Sequence, residues 1–183
     1  MGCVNISEPE ERLLLKAKSD ALRLLSFKPR SILELENRLK LKKYDPALVQ
    51  KVVMSLKAQG LLDDEKFAKL FANARIYSRP SGKRQLESEL KEKGLSKETV
   101  QKTLNSLEDY DEKKAARDLV WSRSQKMTGI SNEKKKSRLF GFLKRRGFSN
   151  DAIFSALTEI FSGKGCGESS PFRQRRIRLR RKK

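Results

Sequence analysis

Two adjacent carboxylates, Asp63 and Asp64, are the side chains in this sequence best suited to hold a metal ion. Mg²⁺ prefers carboxylate oxygens, so the pair raises the hypothesis of a nuclease or another metal-dependent enzyme. Both residues also stand where a helix is expected to begin. Acids at such a position usually cap free N–H groups and face the positive end of the helix dipole. We therefore interpret the pair as structural.

Few other residues could support catalysis. The 183 residues include no histidine, which removes the commonest general base and the commonest transition-metal ligand. No glycine-rich phosphate loop or nucleophile elbow is present. Cys3 and Cys166, near opposite ends, lack the spacing of a zinc site or a disulfide framework. We predict a cytoplasmic protein that is not an enzyme, with no catalytic residue, no metal and no cofactor.

Net charge points to a polyanionic partner. The formal charge is +20, and residues 172–183 hold eight basic side chains and no acid. The rest of the chain is still strongly basic. Such a charge attracts nucleic acid or acidic protein surfaces by long-range steering. No apolar run approaches the roughly 20 residues that span a bilayer, so we expect no membrane partner.

A repeated phrase indicates the elements that carry these charges. Leu39, Leu90 and Leu143 lie 51 and 53 residues apart, and each is followed five residues later by an apolar residue and then by a small capping residue. The period is long enough for three short helices, and no segment alternates with a period of two. The capping residues are Asp45, Ser96 and Ser149.

The predicted fold is therefore all-α, a tandem array of three three-helix, helix-turn-helix-like repeats. We expect the apolar residues of the phrase, together with Phe67, Leu70 and Phe71, to be buried. The predicted limits are 1–62 for an N-terminal helix and repeat 1, 63–110 for repeat 2, 111–161 for repeat 3 and 162–183 for a flexible basic tail.

Positive charge gathers on the second helix of each repeat. In repeats 1 and 2 glutamates are interspersed, so an ordinary solvated helix face is as good an explanation as binding. In repeat 3 no acid occurs between Lys134 and Arg146, and binding is favoured. Lys144, Arg145 and Arg146 are predicted to face solvent.

Two alternatives concern direct contact with DNA. The repeated turn is similar to the middle of a helix-turn-helix, but the third helices begin with acidic and apolar residues, such as Glu98 and Asp151, which disfavours base reading. Trp121 could stack on a base, although its position after Leu119 and Val120 favours packing.

Several segments, in order from about residue 17 to 160, resemble the RecX family of bacterial recombination regulators. The most specific are GLLDDEKFAKLFANAR, which begins at Gly60, and RLFGFLKRRGFS, which begins at Arg138. The resemblance implies an elongated, curved molecule without enzyme activity that lodges in the groove of the RecA–DNA filament. There it would hinder filament extension, ATP hydrolysis and strand exchange in DNA repair, homologous recombination and the SOS response.

The resemblance also singles out contact residues: Arg75, Lys83, Arg84, Lys144, Arg145 and Arg146. The basic surface adds Arg79, Lys91, Lys93 and Arg138. We expect a monomer that binds the RecA filament, and single- and double-stranded DNA weakly, through this surface and the tail. Gln85 departs from the family pattern, which often has arginine there, and the tail has no counterpart in it. The alternative function is an architectural or regulatory DNA-binding protein that acts without RecA.

Overall fold

The structure, a computed structural model, describes residues 8–107 and 110–162, and these ranges contain nine α-helices and no β-strand. The all-α prediction is confirmed. The predicted tail, apart from Ser162, lies outside the described residues. The helices are α1 Glu8–Phe27, α2 Ile32–Leu41, α3 Pro46–Ala58, α4 Asp64–Ser78, α5 Lys83–Glu92, α6 Lys97–Asn105, α7 Glu112–Ser124, α8 Asn132–Arg145 and α9 Asn150–Phe161.

The third helix of each repeat begins where the repeated phrase predicts. Asp45, Ser96 and Ser149 precede α3, α6 and α9, and each side-chain oxygen accepts a hydrogen bond from a backbone N–H two or three residues later, at 2.8–3.3 Å. A cap of this kind satisfies one of the free donors of the first turn and contributes about 1 kcal/mol.

By its internal contacts the chain divides into two compact units. Of the described residues, one unit contains 8–75 and 87–107, and the other contains 76–86 and 110–162. Helices α4 and α5 each have residues in both units. The domain limits drawn from the sequence remain a prediction.

Each unit has its own apolar core. In the first unit α1, α2 and α3 pack around fully buried Leu35, Leu39 and Leu56. In the second unit α7, α8 and α9 enclose Leu143 and Ile153. Burying side chains of this size contributes about 1.5–3 kcal/mol each.

The predicted core positions are correct for the leucines of the repeated phrase but not for all of α4. Leu39, Leu90 and Leu143 are all 0% exposed. Leu70 is 57% exposed, and Ala72 is buried on the inner face of α4 instead. Leu70 and Ala72 lie on opposite sides of α4. The small side chain of Ala72, on the buried side, permits close packing.

In the first unit, the start of α2 is held against the turn between α5 and α6. The buried Ser31 hydroxyl donates a hydrogen bond to the Lys93 carbonyl oxygen at 2.7 Å. The Ile32 N–H, a free donor of the first turn of α2, donates to Asp64 Oδ1 at 2.9 Å. The first helix of repeat 2 therefore begins with a carboxylate that caps a helix of repeat 1.

The second unit repeats this arrangement at equivalent positions. The Gly82 N–H donates to the Arg146 carbonyl oxygen at 2.8 Å. The Lys83 N–H donates to Glu112 Oε1 at 3.3 Å, so the first residue of α7 caps α5 as Asp64 caps α2. We call each set a repeat joint. The joints comprise Ser31, Ile32, Asp64, Lys93 and Gly94 in the first unit, and Gly82, Lys83, Glu112, Arg146 and Gly147 in the second.

The joints explain why the turn after the second helix has a glycine in repeats 2 and 3 but a lysine in repeat 1. Lys43, Gly94 and Gly147 occupy the same repeat position and all have positive φ, at 64°, 80° and 72°. A Cβ at Gly94 would come within 3.0 Å of the Leu33 side chain, and one at Gly147 within 3.0 Å of Gln85. Lys43 is exposed, so its Cβ is tolerated there.

Candidate functional site

The ten candidate contact residues lie near the end of α4, on α5, on α8 and in the turns that follow these three helices. Their side chains fall into two groups, because some are held by other residues of the chain and some are exposed without a described partner. The distinction matters because a side chain already paired must break its bond before it can contact another molecule.

Three of the ten are paired with glutamates. Arg75 donates through two guanidinium nitrogens to Glu89, and this hydrogen bond raises the pKa of Arg75. Lys91 pairs with Glu87 one helical turn away. The third pair joins Lys93 and Glu34 at 2.6 Å.

The Lys93 pair belongs to the repeat joint of the first unit. Burial alone would raise the pKa of Glu34, but the hydrogen bond and charge of Lys93 lower it overall. Lys93 Nζ also lies 5.8 Å from the centre of the Phe71 ring. These contacts give Lys93 a structural role.

The prediction that Arg146 faces solvent is wrong. Its guanidinium donates to the Pro80 carbonyl oxygen at 3.2 Å and lies 4.6 Å from the centre of the Phe142 ring. Arg123 covers the same ring at 4.2 Å. Arg146 is half-buried because its own carbonyl is part of the repeat joint, which draws the residue against the Pro80–Gly82 turn.

The other two residues predicted to face solvent do so. Lys144 and Arg145 are both exposed. Lys144 donates to Asn150 Oδ1 at 2.8 Å, a contact at the surface that solvent can replace. A Cβ at Gly141 would lie 3.4 Å from an Arg145 guanidinium nitrogen, so this guanidinium lies back along α8 over Gly141.

Five of the candidates form the second group. Their side chains are exposed, and within residues 8–107 and 110–162 the structure gives them no hydrogen-bond or ion-pair partner. All five belong to the second unit. Arg138 and Arg145 lie two turns apart on one face of α8, since seven residues return a helix to the same side. We call this group the free basic set; its members are Arg79, Lys83, Arg84, Arg138 and Arg145.

The acidic pair has a structural explanation at both positions. Asp63 Oδ1 accepts from the backbone N–H groups of Glu65 and Lys66 at 2.8 and 3.1 Å, so it is the cap of α4. Asp64 caps α2 in the repeat joint. Within the described ranges no three His, Cys, Asp or Glu residues cluster as metal ligands would.

These roles shift the two pKa values in opposite directions. The backbone N–H of Lys66, followed by that of Glu65, lowers the pKa of Asp63 by stabilising its charged form. Burial raises the pKa of Asp64 by disfavouring its charged form. Ionised Asp63 therefore stabilises the fold above its ordinary pKa, whereas Asp64 is more favourable when neutral.

We expect substitution of these neighbours by asparagine to have opposite pH dependence. Asp63→Asn should lower the free energy of unfolding most at neutral pH, and its deficit should fade as the pH falls below 3.8, the ordinary pKa of aspartate. The free energy of unfolding of Asp64→Asn, compared with that of the native chain, should be highest at neutral pH. Each change should stay within about 1 kcal/mol, because asparagine keeps an acceptor oxygen. Urea unfolding from neutral to acidic pH measures both, and parallel curves would contradict this explanation.

The pocket around Trp121 is not among the sites predicted from the sequence. We predicted packing for this residue, but it is 41% exposed. Val120 beside it is fully buried, and Trp121 lies at the edge of the same helix. The signal in the sequence was a tryptophan near the end of one predicted helix, followed by the lysine-rich start of the next at Lys134 and Lys135.

The fold and the site together define a basic, all-helical protein of three-helix repeats, whose described residues contain no metal cluster. None of the described helices is long and apolar enough to cross a membrane. Family models match three consecutive parts of the chain: the first three-helix domain of RecX over residues 17–55, the second over 63–104 and the third over 101–157. The chain belongs to the RecX family.

Individual relatives agree with this assignment. Regulatory protein RecX of Chlorobium phaeobacteroides is 34% identical over 146 residues, which cover 80% of this chain and 94% of that protein. Regulatory protein RecX of Thermobifida fusca is 29% identical over 159 residues, or 87% of this chain and 86% of that protein. The crystal structure of RecX from Lactobacillus salivarius has a TM-score of 0.71 at 19% identity, covering 81% of this chain and 97% of that one, and it supports the fold.

Proposed function

We propose that this protein regulates a RecA recombinase by binding along the RecA–DNA filament, where it dampens filament extension, ATP hydrolysis and strand exchange. It performs no catalysis of its own and acts as a monomer in the cytoplasm. Membership of a family of regulatory proteins supports the proposal. The observation that carries the binding step is the free basic set, whose exposed guanidinium and ammonium groups suit an anionic surface.

The free basic set narrows the predicted contact surface. Arg75, Lys91, Lys93 and Arg146 are held by Glu89, Glu87, Glu34 and the Pro80 carbonyl respectively. We therefore assign binding to the free basic set, with Lys144 at its edge. Residues of this kind can contact either the phosphates of the DNA or acidic side chains of RecA, and both are attracted by the same charge.

A second candidate is a DNA-binding protein that acts without RecA, and the net charge of +20 favours it. The third helices argue against sequence-specific reading. Asp151, in the first turn of α9, forms an ion pair with Lys113 at 2.7 Å and would place a negative charge against the DNA. Acidic residues at the start of a recognition helix repel phosphates and match few base edges.

The two candidates differ in what the protein binds most tightly. We expect higher affinity for RecA filaments assembled on single-stranded DNA with ATP than for the same DNA without RecA. Fluorescence anisotropy of the labelled protein at one salt concentration compares the two directly. Equal affinities would support the RecA-independent protein.

A further inference from the structure

A pocket of about 430 Å³ opens at one end of the second unit. The end of α7 contributes Trp121 and Gln125, the start of α8 contributes Asn132 and Lys135, and the end of α9 contributes Phe161. The volume is within the range of about 300–1,000 Å³ that is usual for small-molecule sites. None of its lining residues is acidic.

The aromatic residues of this pocket are only partly buried in the core of the second unit. Trp121 is 41% exposed, and Phe161 is half-buried at the last residue of α9. A tryptophan with an accessible face provides a large flat surface, and stacking of a nucleobase on such a face stabilises single-stranded DNA complexes without regard to sequence.

The polar side chains of the pocket suit the rest of a nucleotide. The Gln125 and Asn132 side chains have no hydrogen-bond partner in the part of the chain that the structure describes, and each amide offers both donors and an acceptor to the edge of a base. Lys135 lines the pocket, and the exposed Lys134 precedes it on α8. Lys136 Nζ lies 5.6 Å from the centre of the Phe161 ring.

We propose that this pocket binds an unpaired nucleobase of single-stranded DNA. The base stacks on Trp121, its edge meets the amides of Gln125 and Asn132, and the adjoining phosphate lies near Lys135. Aromatic side chains with Lys135 beside them, and no acid among the lining residues, match an anionic ligand with a flat ring, although the exposed Glu133 stands next to Asn132 at the start of α8. The ligand is free single-stranded DNA, so the inference goes beyond the proposed function and stands without RecA.

Trp121 is the single tryptophan of the 183 residues, so its fluorescence reports on this pocket alone. We expect oligothymidylate to quench this emission at saturation, whereas an abasic strand with the same number of phosphates leaves it nearly unchanged. Trp121→Leu, followed by anisotropy of labelled DNA, should weaken binding of oligothymidylate about tenfold and leave binding of the abasic strand unaltered.

Controls separate the pocket from general charge and from misfolding. Phe27→Leu changes an aromatic side chain that is 85% exposed in the first unit, and it should leave both affinities unchanged. If Trp121→Leu unfolds, the fluorescence of Trp121 in a Phe161→Leu chain replaces it, with weaker quenching by oligothymidylate expected. Equal responses to the two strands would overturn the proposal. A spectral shift that depends on protein concentration alone would also overturn it, by showing a second copy on this surface.

Discussion

Replacing Gly147 with alanine should lower the free energy of unfolding by about 3 kcal/mol or more, the sum of backbone strain and overpacking. Gly147 has a φ of 72°, where a Cβ is disfavoured. That Cβ would also come within 3.0 Å of the backbone nitrogen and Cα of Gln85, which cannot rotate away as a flexible side chain could. Relief requires separating the two sides of the repeat joint in the second unit.

Gly129 provides a matched control in the same unit. Its φ of 70° is nearly that of Gly147, but a Cβ there would meet nothing within 4 Å. Gly129→Ala should therefore cost about 1 kcal/mol, which is the backbone term alone. The difference between the two variants isolates the close approach at the joint.

Urea unfolding followed by circular dichroism gives both free energies, and Trp121 fluorescence reports the second unit separately. A similar loss of unfolding free energy in Gly147→Ala and Gly129→Ala would mean that the two sides of the joint can separate at little cost. The architecture would then depend on the apolar cores rather than on contacts between α5 and the turn after α8.

Reversing three charges of the free basic set should weaken binding to the RecA filament at least tenfold. Arg84, Arg138 and Arg145 are exposed and have no partner among the described residues, so changing them to glutamate removes no internal bond that the structure shows. For each phosphate contact that is lost, the slope of the logarithm of the binding constant against the logarithm of the salt concentration should become less steep by about one. Helicity and unfolding free energy should change little, because surface changes usually cost less than about 0.5 kcal/mol each.

The control reverses three lysines outside this set and makes the same change in net charge. Lys16, Lys69 and Lys97 are exposed and lie on α1, on α4 and on α6. Their substitution by glutamate should weaken filament binding by less than about threefold, through the general field of the protein. Equal losses in the two triple variants would show that only total charge matters and would remove the assignment of the site.

Much of the local structure was readable from the sequence because its determinants are close together in the chain. The caps Asp45, Ser96 and Ser149 act on backbone groups two or three residues away, and the spacing of Leu39 from its neighbours follows from 3.6 residues per turn. Signals of this kind can be recognised in a short stretch of sequence, without knowledge of the tertiary structure. The resemblance to the RecX family added the order of the repeats.

Other features could not be predicted because they depend on contacts between residues distant in the sequence. Arg146 was expected in solvent, but the Pro80 carbonyl lies 66 residues earlier in the chain. The capping of α2 by Asp64 joins residues 32 positions apart. The sequence shows the charge of a side chain. Its hydrogen-bond or ion-pair partner is known only from the way the repeats pack together.

The most direct test of the proposed function titrates the native protein against preformed RecA filaments on single-stranded DNA with ATP, and against the same strand alone at the same salt concentration. We predict at least tenfold tighter binding to the filament, a difference of about 1.4 kcal/mol, together with a fall in ATP hydrolysis as the sites fill. Binding to the bare strand that is as tight or tighter, with hydrolysis unchanged at stoichiometric amounts, would contradict the proposal.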